Sequence, residues 1–145
     1  MMTDTRCLLG VSNYAATTQH VSLAKHWIRK MLAGHLDRDT VFDVSLCTVE
    51  LVDNARKHGP ADGVITVSLS MSTDVIRVEV TDEGSRKAVP HVTENLVTED
   101  GHGLKIVSEV AKQWGSHQDR DLNRVVWCEF SCPSGARTTK EEESP

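Results

Sequence analysis

The sequence predicts an α/β fold, a two-layer α/β sandwich in which one mixed or antiparallel sheet carries helices on one face. Segments 63–71 and 75–81 alternate apolar and polar residues, which is typical of strands with one buried and one solvent-facing side. Segments 18–33, 41–58 and 104–113 instead repeat apolar residues at helical spacing. Because the alternating strands leave one face of the sheet polar, the helices are expected to share the opposite face.

The order of the elements follows from these patterns and from the residues that interrupt them. A first strand is predicted over 6–12, ahead of the first helix, which should end at Gly34. Gly59 and Pro60 should end the second helix, because glycine favours the C′ position and proline cannot continue a helix. The last strand is predicted over 124–130. The remaining predicted segments are a turn at 72–74, a long polar loop at 83–100 and a short strand at 114–118.

Length and charge narrow the class of protein: the chain has 145 residues and a formal net charge of −5. The length supports one domain, predicted over 6–131, and the polar residues 132–145 predict a disordered acidic tail. The negative charge argues against direct binding of nucleic acid or of an anionic membrane. No apolar run approaches the ~20 residues that a membrane-spanning helix needs, and no secretory signal is visible. A cytoplasmic protein with reduced cysteines is therefore expected.

One face of the second predicted helix carries the first candidate site. Glu50, Asn54 and His58 are spaced i, i+4 and i+8, so they lie along one side of the helix. A carboxylate and a carboxamide one turn apart can serve a hydrated Mg²⁺ and a hydroxyl nucleophile, since Mg²⁺ prefers oxygen ligands. The spacing alone also fits a solvated helix end.

Two segments with glycines form the second candidate site. Asp82 and Gly84 lie at the end of the second alternating strand. A carboxylate there could accept a hydrogen bond from the exocyclic amine of adenine, and a glycine lets a flat base approach the backbone. An ordinary turn explains the same residues. Gly101 and Gly103 precede the third predicted helix, where backbone N–H groups and the helix dipole can face an anion, and Lys105 could add positive charge. A flexible loop exit is the alternative there.

The succession of these segments resembles the Bergerat-fold (GHKL) ATPases, the superfamily of gyrase, histidine kinases and MutL. Residues 50–55, Glu-Leu-Val-Asp-Asn-Ala, are similar to its N box, residues 82–84 to its G1 box, and residues 101–104, Gly-His-Gly-Leu, to its G2 box. The resemblance covers 6–131 and is strongest to the short bacterial anti-sigma-factor serine kinases. These are single domains of about this length whose N box likewise ends in a histidine, as at His58.

The resemblance implies a role for each matching residue. Asn54 resembles the Mg²⁺ ligand, and Glu50 resembles the general base that takes a proton from the attacking hydroxyl. Asp82 resembles the adenine-binding carboxylate, with Gly84 lining the base. The other residues implied to contact the nucleotide are His58, Gly101, His102, Gly103 and Leu104, with the two glycines at the phosphates.

The implied function is that of an ATP-binding regulator similar to the anti-sigma factors, with ATP, ADP and Mg²⁺ as ligands. It would phosphorylate a serine or threonine of a STAS-type antagonist and bind a sigma factor, and the family often forms homodimers through its first strand and helix. Ser85 and Arg86 stand where the G1 box usually continues to a second glycine, and the implied ATP lid, 85–100, is short.

These departures keep a second hypothesis open, a nucleotide-dependent binding switch without significant kinase activity. A detached histidine-kinase catalytic domain is disfavoured, because the chain has no room for a phospho-accepting helical hairpin.

We predict that deletion of residues 133–145 leaves the melting temperature unchanged within error, because this segment has almost no apolar surface to bury. Thermal unfolding of the full and shortened chains measures the effect. A loss of several degrees in the shortened chain would show that the tail docks on the domain.

Overall fold

The computed structural model describes residues 6–84 and 101–132. Within these residues there are three helices, α1 (Thr18–Leu32), α2 (Arg38–His58) and α3 (Gly101–Val110). The same residues contain five strands, β1 (Cys7–Ala15), β2 (Val64–Ser72), β3 (Val75–Asp82), β4 (Gln113–Gln118) and β5 (Arg124–Ser131).

The described strands form one sheet in the order β1-β2-β3-β5-β4, and every neighbouring pair is antiparallel. This confirms the predicted α/β class and narrows the mixed or antiparallel sheet to an antiparallel one. The predicted hairpin of β2 and β3 is confirmed, with Ser72 paired to Val75 at its turn. Because β5 pairs with β3, Arg124 at the start of β5 lies directly opposite Asp82 at the end of β3.

The helices cover one face of this sheet, and the hydrophobic core lies between the two layers. Alternate residues of β2 and β3 are fully buried against the helices, while the residues between them face outward. Helix α2 contacts both other helices as well as β2, β3 and β5, so it is the central helix of its layer. At the edge of the sheet, β1 exposes Leu8 and Val11.

Two element boundaries differ from the prediction for local reasons. Helix α2 begins three residues earlier than predicted, because the Asp37 carboxylate accepts a hydrogen bond from the Thr40 N–H at 3.2 Å and caps the helix. Strand β1 continues past residue 12 to Ala15, since Tyr14 is buried in the core. Gly34 has a φ of +82° just beyond α1, as expected for the glycine that ends a helix.

The third helix differs most from its prediction, because it spans Gly101–Val110 rather than 104–113. It ends early because the Lys112 N–H donates a hydrogen bond to the Glu129 carbonyl at 2.8 Å, and β4 begins at the next residue. The predicted short strand is thereby confirmed. Most of the predicted loop over 83–100 lies outside the described residues.

Cys132 belongs to the folded domain rather than to the predicted tail. Its side chain is buried, and its N–H donates a hydrogen bond to the Asp74 carbonyl at 2.7 Å. The rest of the predicted tail, 133–145, lies outside the described residues. None of the helices in the described part of the chain is long and apolar enough to cross a membrane.

Candidate functional site

Helix α2 carries the predicted Glu50, Asn54 and His58, each about one turn from the next along the helix. Asn54 is 8% exposed, and its Oδ1 is buried without a hydrogen-bond partner among the described residues. A buried carbonyl oxygen without a partner is unfavourable by roughly 1–3 kcal/mol. The Asn54 oxygen is therefore a candidate ligand for a group that the fold itself does not supply.

Glu50 lies where α2 meets the first turn of α3. A Cβ added to Gly103 would be 3.0 Å from the Glu50 Oε1, so the absence of a side chain at Gly103 lets α3 approach the carboxylate closely. Burial raises the pKa of the half-buried Glu50 carboxyl, the nearby Asp53 carboxylate raises it further, and Lys57 partly opposes both. A carboxyl pKa raised by burial and by a neighbouring charge is common among groups that accept protons in catalysis.

Gly101 and Gly103 lie inside α3 rather than before it, which corrects their predicted position. Gly101 and Gly103 form its first turn, where the backbone N–H groups have no partner within the helix. An anion can still bind at such a helix end. The Leu104 side chain is buried in the core, so it holds α3 on the domain, and the predicted contact of His102 stays a prediction.

Asp82 ends β3 and is 3% exposed, and each of its two carboxylate oxygens accepts at least one hydrogen bond. The Gly84 N–H donates to Oδ1 at 2.6 Å, in a turn where Gly84 has a φ of +66°, a conformation that favours glycine. Arg124 donates to Oδ2 through Nε at 3.0 Å and through Nη2 at 2.5 Å. The predicted turn at Asp82 is thus confirmed, and it includes a buried ion pair.

The end of α2 connects Asp82 to the rest of the site. A Cβ added to Gly59, which follows the half-buried His58, would lie 3.3 Å from the Asp82 Oδ1. Glu50 precedes His58 by about 12 Å along the helix axis. The candidate site therefore has an aspartate end (Asp82, Gly84 and Arg124) and a glutamate end (Glu50, Asn54 and Gly103), which α2 joins.

Arg124 is the site residue that the sequence analysis missed. Its side chain is 6% exposed and lies on the core face of β5, in line with the apolar Val126, Cys128 and Phe130. An arginine at an apolar position of an alternating strand requires a partner, since an unpaired buried charge is strongly unfavourable. That alternation is the signal that could have found it.

A comparison with protein families supports the resemblance seen in the motifs. A family model described as a histidine kinase-like ATPase domain matches residues 14–128, which include every element from α1 to β4. The chain therefore belongs to the histidine kinase-like ATPase family, of the GHKL type. Membership supports ATP binding, typically with Mg²⁺, and an activity of the kinase or ATPase type. No curated protein matches the chain.

The glutamate end fits a magnesium ion. Mg²⁺ takes oxygen ligands and is usually held by one or two protein groups together with substrate phosphates. The Asn54 Oδ1, which has no hydrogen-bond partner in the described part of the chain, offers one such oxygen. The Glu50 carboxylate lies one turn away on the same helix.

The raised pKa of Glu50 predicts how the stability of the nucleotide-free protein depends on pH. Because the folded-state pKa lies above the ordinary value of 4.5, the folded state binds the proton more tightly than the unfolded chain does. The free energy of unfolding should therefore fall as pH rises through that folded-state pKa. We predict that Glu50→Gln is more stable than the wild type at neutral pH, by a small margin because solvent screens a half-buried charge.

Urea unfolding across a pH series measures this difference, which should vanish below the ordinary pKa of glutamate. Glu109→Gln, at an exposed position of α3, is the matched control and should show no such trend. A Glu50→Gln variant that is less stable than the wild type at neutral pH would contradict the prediction.

Proposed function

We propose that this protein is an ATP-dependent serine/threonine kinase of the anti-sigma-factor type, which phosphorylates a STAS-type antagonist and binds a sigma factor. The observation that carries the proposal is the glutamate end of the site. There a carboxylate with a raised pKa lies one turn from a buried amide oxygen and against the first turn of α3. The proposed proton acceptor, the proposed metal ligand and the proposed phosphate-binding helix end thus lie near one another.

The reaction requires few groups, because phosphoryl transfer depends mainly on positioning and on charge neutralisation. Glu50 takes the proton of the partner's serine or threonine hydroxyl. The hydroxyl oxygen forms a bond to the γ-phosphorus, while the bond from that phosphorus to the β–γ bridging oxygen breaks. ADP leaves with the electron pair of the broken bond, and the proton remains on the Glu50 carboxyl.

Other residues bind and orient the nucleotide in this proposal. The first-turn N–H groups of α3 bind phosphate oxygens, and the Asp82 carboxylate accepts a hydrogen bond from the adenine amine. Asn54 would hold Mg²⁺, which when bound neutralises charge on the phosphates. His58 and His102 remain predicted contacts.

The partners rest on the resemblance to the anti-sigma-factor kinases. That resemblance is supported by the histidine that closes the α2 motif, His58. The homodimer expected from the same resemblance also stays a prediction.

We predict that Glu50→Ala and Asn54→Ala separate transfer from binding. Glu50→Ala should keep ATP affinity within a few-fold but slow transfer by about 10²–10⁴, the usual contribution of a general base. Asn54→Ala should also lose the Mg²⁺-dependent part of the affinity, because the amide oxygen is the proposed ligand. Calorimetry with and without Mg²⁺, and labelled ATP with a panel of STAS-domain proteins, measure the two quantities.

Thermal unfolding must first show that both variants are folded, and Glu109→Ala is the control for loss of a helix carboxylate. A Glu50→Ala variant that labels a partner at the wild-type rate would exclude Glu50 as the base. A wild-type protein that binds ATP tightly but labels no partner would favour the nucleotide-dependent binding switch instead.

We predict that Asp82→Asn weakens ATP and ADP binding by about tenfold to a hundredfold, because an amide mismatches the donors around it at roughly 1–3 kcal/mol. Calorimetry on the folded variant measures the affinity. Asp74→Asn, exposed at the opposite end of β3, is the matched control and should bind like the wild type. Unchanged binding by Asp82→Asn would remove Asp82 from the base site.

A further inference from the structure

Arg124 is the one charged residue of the aspartate end to which the proposed function gives no task. It begins β5 directly opposite Asp82, on the face of the sheet that packs against the helices. Both Arg124 hydrogen bonds to Asp82 end on the same oxygen, Oδ2. Neither side chain is more than 6% exposed. The geometry of this pair determines which polar atoms remain to meet a ligand.

The ion pair has unused hydrogen-bonding capacity on both partners. A carboxylate has about four lone-pair sites, of which Asp82 uses one on Oδ1 for Gly84 and two on Oδ2 for Arg124. Among the residues that the structure describes, one acceptor site on Oδ1 remains without a donor. A guanidinium has five N–H donors, and only two of those on Arg124 have partners among the described residues. The pair therefore has one acceptor site and three donors that the described contacts leave unused.

This pattern is complementary to one edge of adenine. The exocyclic N6 amine of adenine is a donor, and the adjacent ring nitrogen N1 is an acceptor. We propose that Arg124 donates a hydrogen bond to N1 while Asp82 accepts from N6, so that the ion pair recognises both atoms of the base. The proposal rests on the proposed function, because it requires the base of ATP to bind at Asp82.

The same pair would reject guanine bound in this orientation. Guanine has a carbonyl oxygen, O6, in place of the amine, and its N1 carries a hydrogen. O6 would face the Asp82 carboxylate, and the N1 hydrogen would face the Arg124 donors. Two mismatched contacts at buried polar groups give strong discrimination, because an acceptor then faces an acceptor and a donor faces a donor. Arg124 is thus a specificity-determining residue of the nucleotide site.

The decisive experiment uses base analogues and needs no variant. In 1-deaza-ATP a C–H replaces N1 and the amine is kept, whereas 7-deaza-ATP keeps both N1 and the amine. Calorimetry on the full-length wild type should show 1-deaza-ATP binding about tenfold to a hundredfold more weakly than ATP, the range expected for a hydrogen bond to a charged group. It should show 7-deaza-ATP binding like ATP.

A conservative variant assigns the loss to Arg124. Arg124→Lys keeps a cation beside Asp82 but lacks the planar fork of donors. In this variant the preference for ATP over 1-deaza-ATP should fall below about threefold, since the two changes remove the same contact. Arg77→Lys is the matched control. Arg77 also bridges β3 and β5 through an ion pair to Glu129, but on the outer face, so this variant should keep the full preference.

The outcomes distinguish this inference from the proposed function. If the wild type binds ATP and 1-deaza-ATP equally well, Arg124 does not contact N1, and ATP binding stands. If Arg124→Lys binds ATP more tightly than the wild type, the ion pair blocks Asp82 and the inference is overturned. If the wild type binds neither ATP nor any analogue, the proposed function fails, and this inference fails with it.

Discussion

The antiparallel pairing of β5 with β3 is the constraint on which the rest of the site depends. The chain leaves the sheet at Asp82 and returns beside the same strand at Arg124, after α3 and β4. This return places α3 on the face already covered by α2, so that Gly103 meets Glu50. It also sets a buried cation opposite a buried carboxylate. A shift of one residue in this register would turn Arg124 to the outer face and leave Asp82 without its partner.

The polar and charged groups on the two sides of the β3–β5 pair differ in how completely they are paired. On the outer face, Arg77 contacts Glu79 and Glu129, each at 2.8 Å, and its guanidinium lies 4.1 Å from the centre of the Trp127 ring. Those groups satisfy one another, and they stabilise the sheet. On the helix side, Asn54 keeps an oxygen without a described partner, and Glu50 has a raised pKa. Such locally unfavourable arrangements are typical of functional sites, where a ligand supplies what the fold does not.

Local patterns were sufficient for the helices, the hairpin and the turn at Asp82, because each depends on residues close in sequence. The strand order was not predictable from them, since β3 and β5 are joined by a long connection whose pairing leaves no local signal. The early start of α3 was missed because glycine disfavours helices, yet Gly101 and Gly103 form its first turn. The alternation of β5 did mark Arg124 as a core-facing charge, but its partner could be identified only from the register.

The two ends of the site differ in what a nucleotide would add to them. At the aspartate end, the ion pair is already formed, so a base completes hydrogen bonds around groups that are stable without it. At the glutamate end, a metal ion with phosphates would satisfy the Asn54 oxygen and attract the Glu50 charge, so binding there relieves an existing penalty. Under the proposed function, binding at the phosphate side relieves this penalty. The base side determines which nucleotide is accepted, because a mismatched base sets acceptor against acceptor and donor against donor at the buried ion pair.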